Sequence, residues 1–530
     1  MTTFVHELIS DQADTSPHKT ALRIKNHQFS YQQLNDEVNA VAASYKALCV
    51  RPGDRIGLYL AKNKENVQAM FACSVVGAVF VPINPVLKAQ QAFYIAEHCQ
   101  LKVLLINKTR LIPLLPFLPK LVNLEIIVVI DGDKHSLSDI HISSPKKLVT
   151  WQKFKSGKVL KKKVLQGPEH SNQLAAILYT SGSTGQPKGI MLSHHNIVLG
   201  AKAVSQYLKL SAKDKVLAIL PLSFDYGLNQ LTSSFYVGAQ CVLLDYLLAN
   251  DVVKAITDYQ ITGIAAVPAL WVQLNKINWP IDSSKSIRYF TNSGGVLPPE
   301  TLAQLRKKIP LAKPFLMYGL TEAFRSSYLK PSELEKRVGS IGQAIPFTEL
   351  LVVDEDGNDC NANEIGELVH VGPLVTLGYW QNDTATKKRY KPVPKQANNI
   401  YNTPLAVYSG DYVKYDDEGF LYFVARKDAM IKTSGYRVSP HEIESVLLQI
   451  KNVQEAAIVT SPCNDIGLVI IAIIVLTKTS QTMTSQRIIK YCQHSLANYM
   501  LPKQVIFLNE LPRNANGKVD MVLLQQRYGN

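Results

Sequence analysis

The chain lacks any apolar run long enough to cross a bilayer. Its longest, "GLVIIAIIVL" from Gly467 to Leu476, is about half the length a spanning helix needs and suits a buried strand. No secretory leader is expected, because "MTTFVHELISDQADTSPHKT" has acids and polar residues where an apolar segment would sit. Cysteine is sparse: seven in 530 residues (Cys49, Cys73, Cys99, Cys241, Cys360, Cys463, Cys492), odd in number and never in CxxC spacing. That argues against a disulfide framework and against a thiolate zinc site. These absences together lead us to expect a cytoplasmic protein with no integral membrane segment. Acidic residues are outnumbered, giving a net charge of +15, yet no nucleic-acid module accompanies the excess. The densest basic stretch, "KFKSGKVLKKKV" from Lys153 to Val164, has Phe154 as its only aromatic. It reads as a solvated connector, and the surplus lysine suits polyanionic small substrates or an acidic partner.

What is present is ordinary for a large globular protein, with 46% apolar and 19% charged residues. The length suggests two to four domains, ~150 residues being typical of one. Short apolar runs ("DRIGLYL", "AVFVPI", "LKVLLI", "LEIIVVI") alternate with segments of helical spacing such as "QQLNDEVNAVAASYKAL". That alternation predicts α/β layers with largely parallel sheets. "KVLAILPLSFDYGL" and "ITGIAAVPALWVQL" repeat a strand, turn and helix theme. Further on, "YVKYD" and "FLYFVA" flank "DDEG" as a hairpin. From Asp428 onward the texture is that of a compact α+β unit. Two helices, "SPHEIESVLLQI" and "QRIIKYCQHSLANYM", accompany the strands "VQEAAIVT" and "LVIIAIIVL" there. The expected division is 1–427 and 428–530.

The segment "TSGSTGQPKG", Thr180 to Gly189, has the makings of a phosphate loop. Gly182, Gly185 and Gly189 give backbone freedom, Thr180, Ser181, Ser183 and Thr184 give hydroxyls, and Lys188 gives a cation. It should follow a strand and lead into a helix capped by Ser193. It is not a Walker A loop, since Lys188 lies between Pro187 and Gly189, and it contains no GxGxxG.

With "YGLTEA" (Tyr318 to Ala323), "YSGD" (Tyr408 to Asp411), "ARKDAMIKTSGYRVSPHEIE" (Ala425 to Glu444) and "PRNANGKVD" (Pro512 to Asp520) following in order, the chain resembles the AMP-forming adenylating enzymes. That superfamily holds acyl-CoA synthetases, peptide-synthetase adenylation domains and beetle luciferases. The resemblance implies ATP and Mg²⁺, and a thioester formed by way of an acyl adenylate. Thr180 to Lys188 would hold the β- and γ-phosphates. Tyr318 and Gly319 would lie against adenine, Thr321 at the α-phosphate, and Glu322 on the metal. Asp411, read as a strand-end residue after Gly410, would clamp the ribose, with Arg426 beside it. "NSGGV" (Asn292 to Val296), with Gly294 and Gly295, would approach adenine and substrate closely. Lys518 would drive the first chemical step. The resemblance also makes the C-terminal unit mobile, with Asp428 as hinge and Gly435, in "KTSGYR", facing the thiol. Ala425 stands where glycine is usual.

Substrate choice is carried by "PLSFDYGLNQL", Pro221 to Leu231. Phe224 and Asp225 occupy the slot of an aromatic-plus-His gate and resemble the Phe-Asp pair of amino-acid adenylation domains. The wider text is similar to stand-alone prolyl-adenylating ligases and to exosortase-associated acyl-CoA ligases. A buried carboxylate needs a cation, which a substrate amine would supply; alternatively, Asp225 caps the helix that follows. Tyr226, Asn229, Pro268 and Trp271 are pocket or core residues. The expectation is an amino or imino acid such as proline, slightly ahead of a small to medium acyl group. A fatty acyl-CoA synthetase is the alternative. A luciferase-type oxygenase would use the same machinery, and a nucleotide-sensing or nucleic-acid-binding protein on this scaffold is the more distant rival. Only residues 519–530 follow Lys518, with no carrier-domain serine motif. The acceptor is therefore expected to be CoA or a separate phosphopantetheinyl carrier protein.

Overall fold

The short, mostly apolar runs "RIGLY", "VFVP", "VLLI" and "IIVV" form strands Arg55–Tyr59, Val79–Pro82, Val103–Ile106 and Ile126–Val129. They pair in parallel within a seven-stranded sheet. Alternate residues feed two cores, Val103 and Leu105 on one face, Leu104 and Ile106 on the other. Burial on both faces explains why these strands read as continuous apolar runs. The computed structural model describes residues 2–133, 140, 145–155, 170–180, 187–427, 431–433, 436–463, 467–477, 483–496, 498–515 and 517–529.

A second, 14-stranded sheet begins in parallel pairing. Strands Lys215–Ala218, Gly263–Ala266, Tyr289–Asn292 and Lys313–Tyr318 lie side by side. The repeated strand, turn and helix theme is realised as Lys215–Ala218 leading to helix Asp225–Tyr236, and Gly263–Ala266 leading to helix Pro268–Lys276. Beyond Tyr318 the pairing becomes antiparallel throughout residues 327–426. The expectation of largely parallel sheets thus holds only for the earlier part, because short connections cannot make the crossovers that parallel strands require. The hairpin around "DDEG" is present, Leu405–Tyr415 against Leu421–Arg426.

Gly467–Leu476 is the strand the sequence indicated. It lies between Val453–Cys463, antiparallel, and Gln504–Leu508, parallel, in a five-stranded sheet. Besides Met521–Tyr528, the C-terminal helices are Pro440–Leu447, capped by Ser439, and Ser485–Ser495. The latter stops short of the segment read as helical, because Leu496 turns extended and buries its side chain. Among the described residues no helix is long and apolar enough to cross a membrane.

Ser193 caps helix His194–Tyr207 through a capping box with Asn196. His194, next in line, is wholly buried, with Nδ1 near the Val5 N–H and Ser74 Oγ, both at 3.4 Å. Burial pushes its pKa from 6.5 down to about 4. His370, also buried, is lowered to about 3 by burial and the Arg389 cation. Both folded values lie below the unfolded one, so the unfolded chain binds more protons as the solution acidifies. The stability these groups supply is complete above pH 6.5 and is lost as pH falls toward 4. His194 alone accounts for about 3 kcal/mol. Urea midpoints should fall steeply between pH 7 and pH 4.5, and His194→Gln should flatten the decline.

Candidate active site

Strand Leu174–Thr180 and strand Lys188–Ser193 form an antiparallel hairpin in which Thr180 pairs with Lys188. The described ends of the phosphate-loop candidate, Thr180 and Lys188, are therefore paired with each other across two strands. The expected direct passage from loop to helix is corrected by the intervening strand. Ser181, Gly182, Ser183, Thr184 and Gly185 lie outside the described residues, as do Asp428 and Gly435.

Segment 376–380 straps this hairpin to the YGLTE turn. Met191 N–H donates to Gly378 O at 2.9 Å and Trp380 N–H to Gly189 O at 2.8 Å, while Thr376 N–H donates to Glu322 O at 2.9 Å. Tyr379 consequently stands between the two motifs. Its hydroxyl donates to Glu322 Oε1 at 2.6 Å, and Lys188 Nζ lies 5.4 Å from its ring centroid. Burial first, then the Glu322 charge, push the phenol's pKa up, so it remains a donor. The sequence reading missed Tyr379; its only trace there was the aromatic pair in "LGYWQND".

Thr321, buried, opens a single 3-10 turn, Thr321–Ala323, which carries Glu322 half-buried at its middle. Tyr318 ends its strand, with Gly319 directly after it. Asp411 lies within strand Leu405–Tyr415, not at its end, because the backbone continues paired with Arg426 across the hairpin and bulges only after Tyr412. Arg426 Nε reaches Asp411 Oδ1 at 3.3 Å, and the Tyr318 hydroxyl donates to Asp411 Oδ2. Burial and that carboxylate hold the Tyr318 phenol well above its usual pKa of 10. The three residues expected around adenine and ribose are thus brought together.

Lys518 is delivered from the far end of the chain. Asn514 and Lys518 exchange backbone and side-chain hydrogen bonds across a tight turn through Gly517. The Asn84 side chain holds Ala515 O at 3.0 Å. Lys518 Nζ lies 5.8 Å from the Phe224 ring centroid. Gly294, at φ +83°, faces Lys518 Cε, which would lie 3.2 Å from a Cβ at that position. Only glycine meets both conditions without strain. Gly295 follows, its carbonyl accepting from the Asn292 side chain at 2.9 Å.

Asp225 is 5% exposed at the start of helix Asp225–Tyr236 and makes no side-chain cap, so the capping alternative does not hold. Its cation is internal: Arg325, equally buried, places Nη1 3.4 Å from Asp225 Oδ2. The same guanidinium lies 5.0 Å from the Tyr226 ring centroid. Arg325 is aimed inward by Phe324, which adopts φ +52°. The Phe324 ring fits against Gly200, where a Cβ would come within 2.3 Å of Phe324 Cδ1. A bulky residue in that region stores strain and marks a position that its surroundings over-determine. Tyr226 hydrogen-bonds Thr291, and Asn229 is 2% exposed. Trp271 belongs to the core, fully buried and donating to Thr291 O at 3.1 Å. Arg325 was the other functional residue the sequence reading missed, since nothing local marks an arginine as the partner of a residue 100 positions earlier.

The family model of AMP-binding enzymes matches residues 9–380, and that of the AMP-binding enzyme C-terminal domain matches 442–518. An indoleacetate–CoA ligase of Aromatoleum aromaticum is 30% identical over 97% of this chain and 96% of its own length. A linear gramicidin synthase polypeptide of Brevibacillus parabrevis is 26% identical over 97% of this chain, which spans only 6% of that protein. A solved anthranilate CoA ligase in complex with anthranoyl-AMP superimposes with a TM-score of 0.86 at 26% identity, covering 100% of this chain and 98% of that one. The first of the two family models alone spans more than half of the chain, and the chain belongs to the AMP-binding enzyme family.

Proposed function

We propose that the chain activates a carboxylic acid with ATP, releases pyrophosphate, and transfers the acyl group from its adenylate to the thiol of CoA. Its relatives include an indoleacetate–CoA ligase, a 2-succinylbenzoate–CoA ligase and an anthranilate CoA ligase solved with anthranoyl-AMP, and an o-succinylbenzoate CoA synthetase has been solved with ATP and magnesium. The observation that carries the reading is the delivery of Lys518 to Gly294 and to Phe224, the residue just before Asp225.

In the first step a carboxylate oxygen bonds to the α-phosphorus while the bond to pyrophosphate breaks. Both reactants are anionic, so an ammonium between them lowers the cost of their approach. Lys518 is assigned that place, Thr321 the α-phosphate, and Thr180 to Lys188 the departing phosphates. Tyr318 and Gly319 with Gly295 frame adenine, and Asp411 with Arg426 holds the ribose. Glu322 is the carboxylate at the phosphate end, and among the described residues no cluster of three or more His, Cys, Asp or Glu could hold a metal. That donor set suits Mg²⁺, which favours one carboxylate plus phosphate oxygens and water. When bound, the ion would neutralise phosphate charge. Tyr379 fixes the Glu322 carboxylate, so Tyr379→Phe should raise the Mg²⁺ concentration for half-maximal rate and lower the adenylation rate about 10-fold, the loss of one hydrogen bond to a charged group.

The second step moves the acyl carbon from AMP to sulfur. The 1–427 body and the 428–530 unit would turn about Asp428 to bring Gly435 and its loop to the thiol, a movement served by a few hinge residues. A separate carrier protein is the alternative acceptor, supported by the likeness to a gramicidin synthase. For the acid, Arg325 already meets the demand of Asp225 for a cation, which favours a small to medium acyl group over the amino or imino acid. Cytoplasmic placement is consistent with six free cysteines, five of them buried, among the described residues.

Pyrophosphate exchange across a panel of acids, followed by addition of CoA, tests the assignment. The expected result is acid-dependent exchange and a CoA thioester. ATP turnover indifferent to acid, or light emission with oxygen uptake, would overturn it.

A further inference from the structure

The turn that presents Lys518 meets the body of the protein in several ways. The lysine side chain runs past Gly294 and stands over the Phe224 ring. Gly517, at φ +77°, faces Val267, whose Cγ2 would lie 3.5 Å from a Cβ there. These contacts tolerate a small shift. The hydrogen bond from Asn84 Nδ2 to Ala515 O, at 3.0 Å, does not, because it fixes direction as well as distance. Ala515 and Lys518 belong to one tight turn, closed by Asn514 N–H to Lys518 O at 2.8 Å and Gly517 N–H to Asn514 O at 2.9 Å. A bond that places Ala515 therefore also places Lys518.

Asn84 is held ready for that bond. It is buried, just beyond strand Val79–Pro82. Its Oδ1 accepts from the Val86 N–H at 3.2 Å, and its backbone carbonyl accepts from the Leu87 N–H at 3.1 Å. This Asx turn occupies the side-chain oxygen locally and leaves the amide N–H₂ to point at Ala515. The turn is braced from both sides: Arg110 Nε donates to Pro85 O at 3.0 Å, and the Tyr59 hydroxyl donates to Leu87 O. A donor already fixed in direction loses little freedom when its acceptor arrives, so the bond acts at full strength.

We propose that Asn84 is a positioning residue for the first half-reaction alone. It steadies the Lys518 turn while the carboxylate meets the α-phosphorus, and it has no part in thioester formation, for which the C-terminal unit turns away and the bond to Ala515 is broken. This rests on the functional reading above and adds a residue that acts through Lys518. An aspartate at this position would keep the Asx turn, since a carboxylate oxygen accepts from the Val86 N–H equally well. It would also set an acceptor against the Ala515 carbonyl where a donor now stands.

The test compares the two half-reactions in Asn84→Asp. It uses whichever of butyrate, octanoate, benzoate and proline best supports pyrophosphate exchange, and the synthetic adenylate of that acid. Exchange should fall at least about 5-fold, the effect of leaving a buried carbonyl without its donor, while thioester formation from the supplied adenylate and CoA stays within about 2-fold of wild type. Asn84→Ser, whose hydroxyl keeps a local acceptor for the turn but is too short to reach Ala515, should show the same split. Adding Asn84→Asp to Lys518→Ala should slow exchange no further than Lys518→Ala alone, because the two residues act as one unit. A merely structural defect would slow both half-reactions and add to the lysine variant. Equal losses in both half-reactions with both Asn84 variants, undiminished exchange, or a further loss in the double variant would overturn the proposal while leaving the ligase reading intact. No exchange with any acid, or exchange by Lys518→Ala equal to wild type, would overturn both.

Discussion

Lys518→Ala should lower acid-dependent pyrophosphate exchange by about 10²–10³-fold, the usual loss when one preorganised electrostatic contact to developing charge is removed. The fold should be untouched. The turn that carries Lys518 is closed by backbone groups and by Asn514, without help from the lysine side chain. Melting temperature should therefore remain at the wild-type value. A second measurement separates catalysis from binding: ATP should still protect the variant against thermal unfolding, because the groups expected at adenine and ribose lie on the other unit. Hydrolysis of a chemically supplied acyl adenylate should be lowered much less than its formation. Carboxylate-dependent turnover equal to wild type would defeat the assignment and reopen the nucleotide-sensing alternative.

The second large effect is on stability and concerns Arg325. Removing one member of a buried ion pair leaves the other charge uncompensated, at a cost of about 3–5 kcal/mol. Arg325 and Asp225 have side chains only 5% and 6% exposed, so solvent offers little relief. Arg325→Met alone should lower the unfolding free energy from urea titration by that amount. Pairing it with Asp225→Leu should restore most of the loss, since apolar replacement of a whole buried pair is often neutral or better. A single variant within about 1 kcal/mol of wild type would mean that Asp225 finds another partner. The pair also bears on the substrate, since a guanidinium held over Tyr226 and bonded to the Asp225 carbonyl at 3.3 Å already supplies a cation to Asp225.

The legible part of the site was the part built from contiguous residues. A phosphate loop needs small residues, hydroxyls and a lysine in immediate succession, and Thr180 to Gly189 writes them in order. Lys518 is likewise recognisable from its glycine turn, and the 3-10 turn of Thr321–Ala323 from its motif. Strand placement was less secure. Asp411 looks like a strand end beside Gly410, yet cross-strand hydrogen bonding to Arg426 carries the strand past it. Local glycine content has no knowledge of that partner.

By itself, the sequence determined the reaction class, because its motifs are short contiguous runs, and it supplied the expectation of a two-part organisation and of the residues at the nucleotide. Tertiary structure alone decided who answers the charge on Asp225 and what steadies Glu322. Arg325 lies 100 residues from Asp225 and Tyr379 lies 57 from Glu322. Pairings across such distances exist only once strands and helices have packed, and the low-dielectric interior that makes them strong is itself a product of that packing.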